Sequence, residues 1–247
     1  MKSKFFVAAI VGVLSASPTW AEPLVPKLNI GIEAAKSPKD VSVSLQVLLI
    51  LTVLSLAPAM LMMLTSFTRI IIVLSFTRSA LGTQQVPPNS VLIGLALFLT
   101  FFTMAPVLNQ VNRNALQPYM HNEVTFDRGV DLASAPIRNF MFAQVREKDI
   151  ALFINLSHLN RPRSEADVPI YVLIPAFIVS ELRTAFMIGF LIFIPFLIID
   201  AVVSVTLMSM GMMMLPPILI SLPFKILLFV LVDGWHIIVQ SLALSFH

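Results

Sequence analysis

Long uncharged apolar runs, separated by short polar breaks, dominate the chain beyond its N-terminal region. Residues 45–64 are twenty positions without a charge, and Pro58 is the only proline among them. Residues 90–108 are nineteen such positions, with Pro106 near the end. A helix crosses a bilayer with about 20 apolar residues, and a membrane helix absorbs a proline as a kink. The two runs therefore predict two crossings, which form a first helical hairpin over residues 43–108.

The segment between these crossings repeats the tetrapeptide Ser-Phe-Thr-Arg, at residues 66–69 and again at 75–78. Nine positions on a helix are about two and a half turns, so Arg69 and Arg78 project from opposite faces. Two explanations of these arginines remain open. Either they are positive-inside residues of a cytoplasmic loop, because residues 65–89 contain no acid, or they contact neighbouring subunits.

The N-terminus has the pattern of a secretory signal, in which two lysines precede an apolar run at residues 5–14. Cleavage is expected after Ala21, because this run is too short to span a bilayer as a helix. An uncleaved anchor is the alternative. Residues 22–42 contain prolines and charges without a sustained apolar period, which predicts an extended leader. We thus expect a signal peptide at 1–21 and a mature chain that begins on the outer side.

Residues 109–168 are polar, since these sixty positions hold seven basic and seven acidic side chains. We interpret them as a soluble insertion. Because two crossings precede it and the mature N-terminus is expected outside, the insertion is predicted to lie in the periplasm of a Gram-negative cell. Apolar residues recur near a helical period over residues 136–156. This pattern predicts one helix, with residues 146–149 on its solvent side.

Charges interrupt the apolar C-terminal part, residues 169–247. In chain order, these charges are Glu181, Arg183, Asp200, Lys225 and Asp233. A charge at the centre of an isolated span costs about 2.5–3.5 kcal/mol, so such groups need partners. Glu181 and Arg183 are about 200° apart on a helix and cannot neutralise each other.

Two interpretations of the membrane charges remain open, namely an ion or proton relay and pairing between subunits. Pairing is favoured, because the chain lacks the matched broken-helix repeats of a self-contained transporter. The residues predicted to make inter-subunit polar contacts are Arg69, Arg78, Glu181, Arg183, Asp200 and Lys225.

The C-terminal part also contains a methionine-rich break, with five of the thirteen methionines at residues 208–214. Gly211 and the prolines at 216–217 end the helix there, which predicts a hairpin over residues 169–247 with the methionines at its tip. Methionine has three rotatable bonds and a polarisable sulfur, so several copies around one axis would form a pliable collar. The alternative is that methionine is an ordinary apolar filler.

The composition agrees with a membrane protein and excludes several functions. Hydrophobic residues make up 57% of the chain, charged residues make up 12%, and the mean hydropathy is +0.91, values that exclude a water-soluble domain. The net charge of +3 is scattered, so no nucleic-acid partner is expected. The chain has no cysteine, its four histidines lack ligand spacing, and the usual catalytic motifs are absent from its sequence. We therefore expect no cofactor, no metal and no enzymatic activity.

Three segments of this chain closely resemble signatures of the FliP family. They are Thr-Ser-Phe-Thr-Arg-Ile-Ile-Ile-Val-Leu-Ser at 65–75, Pro-Ala-Phe-Ile-Val-Ser-Glu-Leu at 175–182 with Gly189-Phe190 after it, and Pro-Phe-Leu-Ile-Ile-Asp at 195–200 before the methionine run. The likeness extends from about Val43 to the end. It implies an all-α membrane protein whose helical hairpins assemble into an oligomeric superhelical export gate. The implied function is that of a core channel component in the flagellar type III protein export apparatus.

The same resemblance implies partners, a location and a site. The partners are further copies of the chain in a homopentamer, FliQ and FliR type subunits, other export-apparatus membrane proteins, unfolded flagellar export substrates and membrane lipid. The location is the bacterial inner membrane at the flagellar basal body. The family's channel gasket corresponds to Met208, Met210, Met212, Met213 and Met214.

Three other functions remain open. The first is that of an export-gate homologue in a virulence injectisome, whose family shares these motifs. The second is an autonomous ion-coupled transporter with Glu181 and Asp200 as proton sites. The third is an assembly scaffold without a channel role.

Overall fold

The computed structural model describes residues 48, 51–52, 54–56, 58–83, 85–159, 162–212 and 214–246. The predicted signal peptide 1–21 and leader 22–42 lie outside the described residues, as do residues 45–47, 49–50, 53 and 57 of the crossing predicted at 45–64. The elements below belong to one unit, Leu51–His247. The described residues form helices and no strand, so the all-α prediction is confirmed for them.

The α-helices follow one another with short connections. In chain order they are α1 (Pro58–Leu64), α2 (Phe67–Ala80), α3 (Asn89–Val111), α4 (Gln117–Met120), α5 (Phe126–Gln144), α6 (Glu147–Leu156), α7 (Ile170–Ser209), α8 (Pro217–Leu231) and α9 (Gly234–Leu244). A π-helix (Asn112–Leu116) joins α3 to α4, and a 3₁₀ helix (Glu165–Asp167) precedes α7.

Two helical segments are long and apolar enough to cross a membrane, namely Asn89–Met120 and α7. Two bent pairs meet the same requirement only if each pair counts as one span. These pairs are α1 with α2, bent by 84°, and α8 with α9, bent by 62°. The part of the chain that the structure describes thus contains two to four candidate crossings, which agrees with a membrane protein.

Helix α2 lies in the core, although the sequence predicted a loop there. Ile70, Val73 and Leu74 are completely buried, and α2 packs mainly against α7 and α3. These three residues lie at the i, i+3 and i+4 positions of a buried helical face. The loop prediction is therefore wrong at residues 67–80, which form a helix with a buried apolar face. The side of the membrane on which residues 65–89 lie stays a prediction.

The crossing predicted at residues 90–108 corresponds to α3, and the helix continues beyond it to Met120. The extension passes through one wider turn, the π-helix that ends at Leu116. Pro118 follows this turn and has no N–H to donate to the carbonyl four residues earlier. A missing donor at this position favours the wider turn.

The single helix predicted over residues 136–156 is two helices, α5 and α6, which meet at an extended Val145. A side chain of α7 causes the break. Ser180 Oγ accepts the N–H of Arg146 at 3.1 Å and donates to Asp149, so a new helix starts at this point. Asp149 was predicted to face solvent, but it is only 8% exposed because it binds Ser180. The pattern also missed residues 126–135, which belong to α5.

Helix α7 runs for 40 residues and includes Pro175 and Pro195. The break predicted after it is confirmed, because α7 ends at Ser209 and α8 begins at Pro217. Between them Gly211 adopts a φ of 75°, a left-handed conformation that favours glycine. Helices α7 and α8 thus form the expected hairpin, with the methionine-rich segment as its turn.

The segment after Asp233, predicted as a short apolar tail, is helix α9. Asp233 has a φ of 52° and turns the chain, and α9 folds back towards α2 and α3. Ile238 and Leu242 join the buried cluster that contains the apolar face of α2. The C-terminal residues are therefore part of the core.

The packing of α7 against α2 depends on the small size of Gly189. A Cβ atom at this position would lie 2.6 Å from Cγ of Phe76, closer than carbon atoms can approach. The Phe76 ring belongs to an aromatic cluster, in which it makes edge contacts with Phe186 at 5.1 Å and Phe193 at 5.9 Å between ring centroids.

We expect Gly189→Ala to destabilise the fold by about 1–3 kcal/mol, because the added methyl group overpacks the α2–α7 contact. The measurement is the midpoint of thermal unfolding of the purified protein in mild detergent. Gly94→Ala is the matched control, since a Cβ there would meet nothing within 4 Å. Equal midpoints for the two variants would contradict this account of the packing.

Candidate functional site

Arg69 is the centre of a buried ionic junction in the core. Its side chain projects from the first turn of α2 and is 2% exposed, while Glu181 in the first half of α7 is completely buried. Arg69 Nε donates to Oε2 of Glu181 at 2.9 Å, and Nη2 donates to Oε1 of the same carboxylate. The pair is thus bidentate, the geometry in which a guanidinium binds a carboxylate most strongly.

The other N–H groups of Arg69 also have acceptors. Nη2 donates to Gln144 Oε1 at 2.9 Å, and Nη1 donates to the Ser245 carbonyl at 2.8 Å and to Ser245 Oγ at 3.1 Å. An arginine has five N–H donors, and all five are therefore used. The ring of Phe246 covers the guanidinium, with its centroid 4.0 Å from Cζ. The junction joins α2, α5, α7 and the turn after α9.

The neighbouring residue, Ser180, extends this junction to α6. Its hydroxyl binds the N–H of Arg146 and the carboxylate of Asp149, and Asp149 also accepts Arg146 Nη2 at 2.6 Å. Ser180 is completely buried. Two consecutive positions of α7 therefore hold α2 on one side and α6 on the other through polar contacts.

A second ion pair holds the α7–α8 hairpin together. Lys225 Nζ donates to Asp200 Oδ2 at 2.6 Å, and Ser221 Oγ donates to Asp200 Oδ1 at 2.6 Å. Lys225 is 4% exposed, whereas the Asp200 side chain is 30% exposed. The pair neutralises the only two charges in the hairpin between Arg183 and Asp233.

The structure pairs four of the six predicted contact residues within the chain, as Arg69 with Glu181 and Asp200 with Lys225. The argument that these four charges need partners from other subunits is therefore wrong, because distant parts of the same chain supply them. Arg78 also has acceptors within the chain, Asn89 Oδ1 at 2.6 Å and a backbone carbonyl. Whether any of these residues also meets another subunit stays a prediction.

Arg183 differs from the other five residues. It is exposed on α7, and no hydrogen bond or ion pair joins it to another residue in the described part of the chain. Its neighbours on the same surface are apolar, since Phe186, Met187 and Phe190 are all more than half exposed. An arginine on an apolar helix face requires an acid, a carbonyl or a lipid headgroup from outside the chain.

The sequence contains a signal that the charges at Arg69 and Glu181 need partners. Arg69 is the only charged residue between positions 41 and 77, and Glu181 is the only acid between positions 168 and 199. Charges in apolar segments pair with one another, which makes an intrachain partner expected, but the sequence does not distinguish Arg69 from Lys225 as the partner of Glu181. The roles of Gln144 and Ser245 had no such signal, because neutral polar residues are common in the chain.

The described members of the predicted gasket lie at the turn between α7 and α8 or next to it. Met208, Met210 and Met214 are 54%, 66% and 98% exposed, and Met212 is partly buried. Met213 lies outside the described residues. The structure thus brings the described methionines together at one exposed turn, and a collar of several copies stays a prediction.

The arrangement holds the charges of the site in place through hydrogen bonds and ion pairs. Within the described residues, no group of three or more histidine, cysteine, aspartate or glutamate side chains is placed to hold a metal ion. The buried carboxylate of Glu181 is occupied by the guanidinium of Arg69. Chemically, this site joins four segments of an apolar protein through the ion pair and the hydrogen bonds of Arg69.

We expect Arg69→Ala to cost about 3–5 kcal/mol, because it leaves the Glu181 carboxylate buried without a partner. The matched control is Arg78→Ala, which removes hydrogen bonds to neutral acceptors and should cost about 1 kcal/mol. Thermal unfolding in detergent and the yield of monodisperse protein measure both effects. The double variant Arg69→Met, Glu181→Leu should recover part of the lost stability. If the double variant loses as much stability as the two single variants together, the pairing is contradicted.

Comparison with known proteins agrees with the motifs in the core. A profile of the FliP family matches residues 50–242. Three relatives are each called flagellar biosynthetic protein FliP. The one from Bacillus subtilis (strain 168) is 58% identical over 88% of this chain and 98% of its own length. The one from Pectobacterium carotovorum subsp. carotovorum is 54% identical over 83% of this chain and 80% of its own length. The one from Caulobacter vibrioides is 47% identical over 97% of this chain and 91% of its own length. The resemblance seen in the sequence is thereby confirmed, and the chain belongs to the FliP family.

Proposed function

We propose that the chain is a core channel component of the flagellar type III protein export apparatus, which passes unfolded flagellar subunits across the inner membrane. The observation that carries this proposal is 58% identity to a flagellar biosynthetic protein over 98% of that protein's length. Apolar helices long enough to cross a membrane support a place in the membrane. The role is to bind and shape a passage, without a cofactor and without catalysis.

The length of α7 supports an assembly in which helices rise out of the bilayer. Its 40 residues span about 60 Å at 1.5 Å per residue, twice the hydrocarbon thickness of about 30 Å. A helix of this length that stayed entirely in lipid would need an extreme tilt. We infer that α7 and α8 pack as a raised hairpin against other subunits, in an oligomeric superhelical gate.

Exposed apolar side chains support the same assembly. The outward face of α7 carries large apolar residues that are about 40–60% exposed, namely Phe190, Leu191, Ile194, Leu197, Ile198, Val202 and Val205. Soluble proteins rarely expose contiguous apolar patches of this extent. We propose that further copies of the chain, in a homopentamer, cover part of this face together with FliQ and FliR type subunits, and that lipid covers the remainder.

The position of the methionines supports a gasket at the end of this hairpin. They lie at the turn where α7 reverses into α8, so each copy would present its flexible thioether side chains at one level. We infer that Met208, Met210, Met212, Met213 and Met214 of several copies close the passage around an axis. The insertion at residues 109–168 would then lie on the periplasmic side.

The ion pairs favour a channel component over an ion-coupled transporter. A transporter would use Glu181 and Asp200 as proton sites, yet Glu181 is bound by Arg69 and Asp200 by Lys225. Each carboxylate therefore already has a cation of the same chain as its hydrogen-bonded partner. The pairs are suited to holding helices together.

We expect replacement of all five gasket methionines by alanine to increase ion leakage across the inner membrane several-fold and to change the rate of hook and filament export. The reason is that alanine is too short to close a passage that methionine fills. Membrane-potential dyes and export assays measure the two effects. Replacement of Met60, Met62 and Met63 by alanine removes methionines from α1 and should leave leakage unchanged.

The gasket hypothesis is wrong if the five-alanine variant assembles normally and shows wild-type leakage and export. Activity of the purified chain alone in liposomes, with ion flux driven by a proton gradient, would favour the transporter instead. Normal secretion by the variant after its assembly is rescued with overproduced partners would favour the scaffold.

We expect Arg183→Glu to leave the fold intact and to reduce assembly with other subunits, because Arg183 has no partner within the described chain. Like charges placed together at an interface cost several kcal/mol, so the yield of the large complex should fall strongly. Native gels of detergent extracts measure this yield. The control is Arg163→Glu, the same charge reversal at an exposed position before α7. An equal loss of the large complex in both variants would mean that Arg183 does not contact another subunit.

A further inference from the structure

Arg183 marks the boundary between a polar and an apolar level of α7. Ser180, which lies about one turn before it, binds the carboxylate of Asp149, and the neighbouring Glu147 and Lys148 of α6 are exposed. After Arg183 the next sixteen positions of α7 carry no charge. Arg183 therefore lies where α7 passes from a level rich in polar groups to an apolar one.

The apolar level has the length of one bilayer crossing. Residues 184–209 of α7 span about 39 Å at 1.5 Å per residue, compared with about 40–45 Å for a bilayer with its headgroup regions. The only charge in this stretch, Asp200, is paired with Lys225. One crossing by this stretch places Arg183 at the headgroup level on the side of the insertion, and the part of α7 before it then rises above the bilayer.

The charge of Arg183 is not balanced within the described residues. Its side chain is exposed and makes no hydrogen bond or ion pair with them. The acid two positions earlier, Glu181, is bound by Arg69. A guanidinium binds a phosphate through two parallel N–H donors, and arginines at the membrane surface attract anionic lipids. Arg183 at the headgroup level therefore favours a phosphate as its partner.

An open apolar trough lies on the outer face of α2. Its volume is about 250 Å³, and its lining residues are Ile71, Ile72, Ser75, Phe76 and Ser79. The two serines do not make the trough polar, because their hydroxyls are used within α2. Ser75 Oγ donates to the Ile71 carbonyl at 2.8 Å, and Ser79 Oγ donates to the Ser75 carbonyl at 3.0 Å. The trough therefore suits an apolar occupant.

Arg183 and the trough follow one another along the helix axes. Helices α2 and α7 run parallel, because the Arg69–Glu181 contact is followed further along both helices by a contact between Phe76 and Phe186. Arg183 consequently lies near the start of the trough, which extends for about 12 Å towards the apolar level. Phe186 connects the two, since it lies about one turn after Arg183 and its ring centroid is 5.1 Å from that of Phe76.

We propose that Arg183 and the trough bind one anionic phospholipid, with its phosphate on the guanidinium and an acyl chain in the trough. A phospholipid presents its charged group and its chains in this order from the membrane surface inwards, and the trough fits within the hydrocarbon depth of one leaflet, about 15 Å. The inference rests on the proposed place in the inner membrane. It deepens that proposal, because the bound lipid would lie on the surface that we expect to meet other subunits.

The experiment measures binding of phosphatidylglycerol by the purified full-length protein with its co-purifying subunits, after detergent exchange has removed the native lipid. Native mass spectrometry counts the bound lipid per chain as the lipid concentration rises. Arg183→Gln should weaken the tightest binding about fivefold or more, because it removes the charge that holds the phosphate. Arg183→Lys should keep most of the affinity, and Arg163→Gln, at an exposed position before α7, should leave it unchanged.

A second variant tests the trough without a change of charge. Ser75→Leu fills the trough and should weaken phosphatidylglycerol binding several-fold. The matched control is Ser134→Leu of α5, since Ser134 Oγ also donates to a carbonyl of its own helix and Ser134 does not line the trough. Glycerophosphoglycerol, the headgroup without acyl chains, should bind at least about a hundredfold more weakly than the lipid. Size-exclusion chromatography verifies that all variants are folded.

Three results would overturn the proposal. They are equal lipid affinities of the wild type and Arg183→Gln, an unchanged affinity of Ser75→Leu, and a headgroup without chains that binds as tightly as the lipid. If Arg183 binds an acid of another subunit instead, Arg183→Gln will lose the large complex while its chains bind phosphatidylglycerol as tightly as the wild type. The measurement needs no secretion, so a negative result leaves the proposed export function untouched. Conversely, a gasket variant with wild-type leakage and export would contradict the channel role without affecting the lipid affinity.

Discussion

A guanidinium and a carboxylate buried together in an otherwise apolar protein constrain the rest of this structure. Neither Arg69 nor Glu181 tolerates burial alone, because each charge loses its hydration and the surrounding side chains cannot replace it. The pair is acceptable only with complete hydrogen bonding, which requires Gln144 and the turn at Ser245 as well. One arginine thus dictates where four separate segments of the chain must meet.

One part of the chain packs its polar and apolar groups within the chain, and another part leaves a large apolar surface exposed. Around the first half of α7, ion pairs, hydroxyl contacts and two apolar clusters bury α2, α5, α6 and α9 against one another. Helices α7 and α8 pack against each other in a hairpin, and the Asp200–Lys225 pair is their principal polar link. The outer faces of this hairpin remain apolar and exposed, as expected for a segment completed by lipid or by neighbouring subunits.

Elements that depend on local pattern were predictable from the sequence, and elements decided by distant contacts were not. The helix at residues 90–108 follows from an uninterrupted apolar run, and the break at Gly211 follows from glycine and proline chemistry. The α5–α6 break depends on Ser180, which lies 34 positions from the N–H that it binds. Likewise, Arg69 looked like a residue of a polar loop, since the acid that permits its burial is 112 positions away. Family motifs identified the residues of the site, but geometry alone assigned their partners.

The separation of these partners along the chain affects how the protein is made. Ser245, which completes the set of acceptors around Arg69, lies 176 positions further on. At a synthesis rate of about 5–20 residues per second, roughly ten to thirty-five seconds pass between the two residues. Throughout this interval the nascent chain holds a cationic side chain without its final ligands, so the bilayer, the insertion machinery or water must accommodate it. The complete set of ligands around Arg69 therefore forms only after the residues that follow α9 have been synthesised.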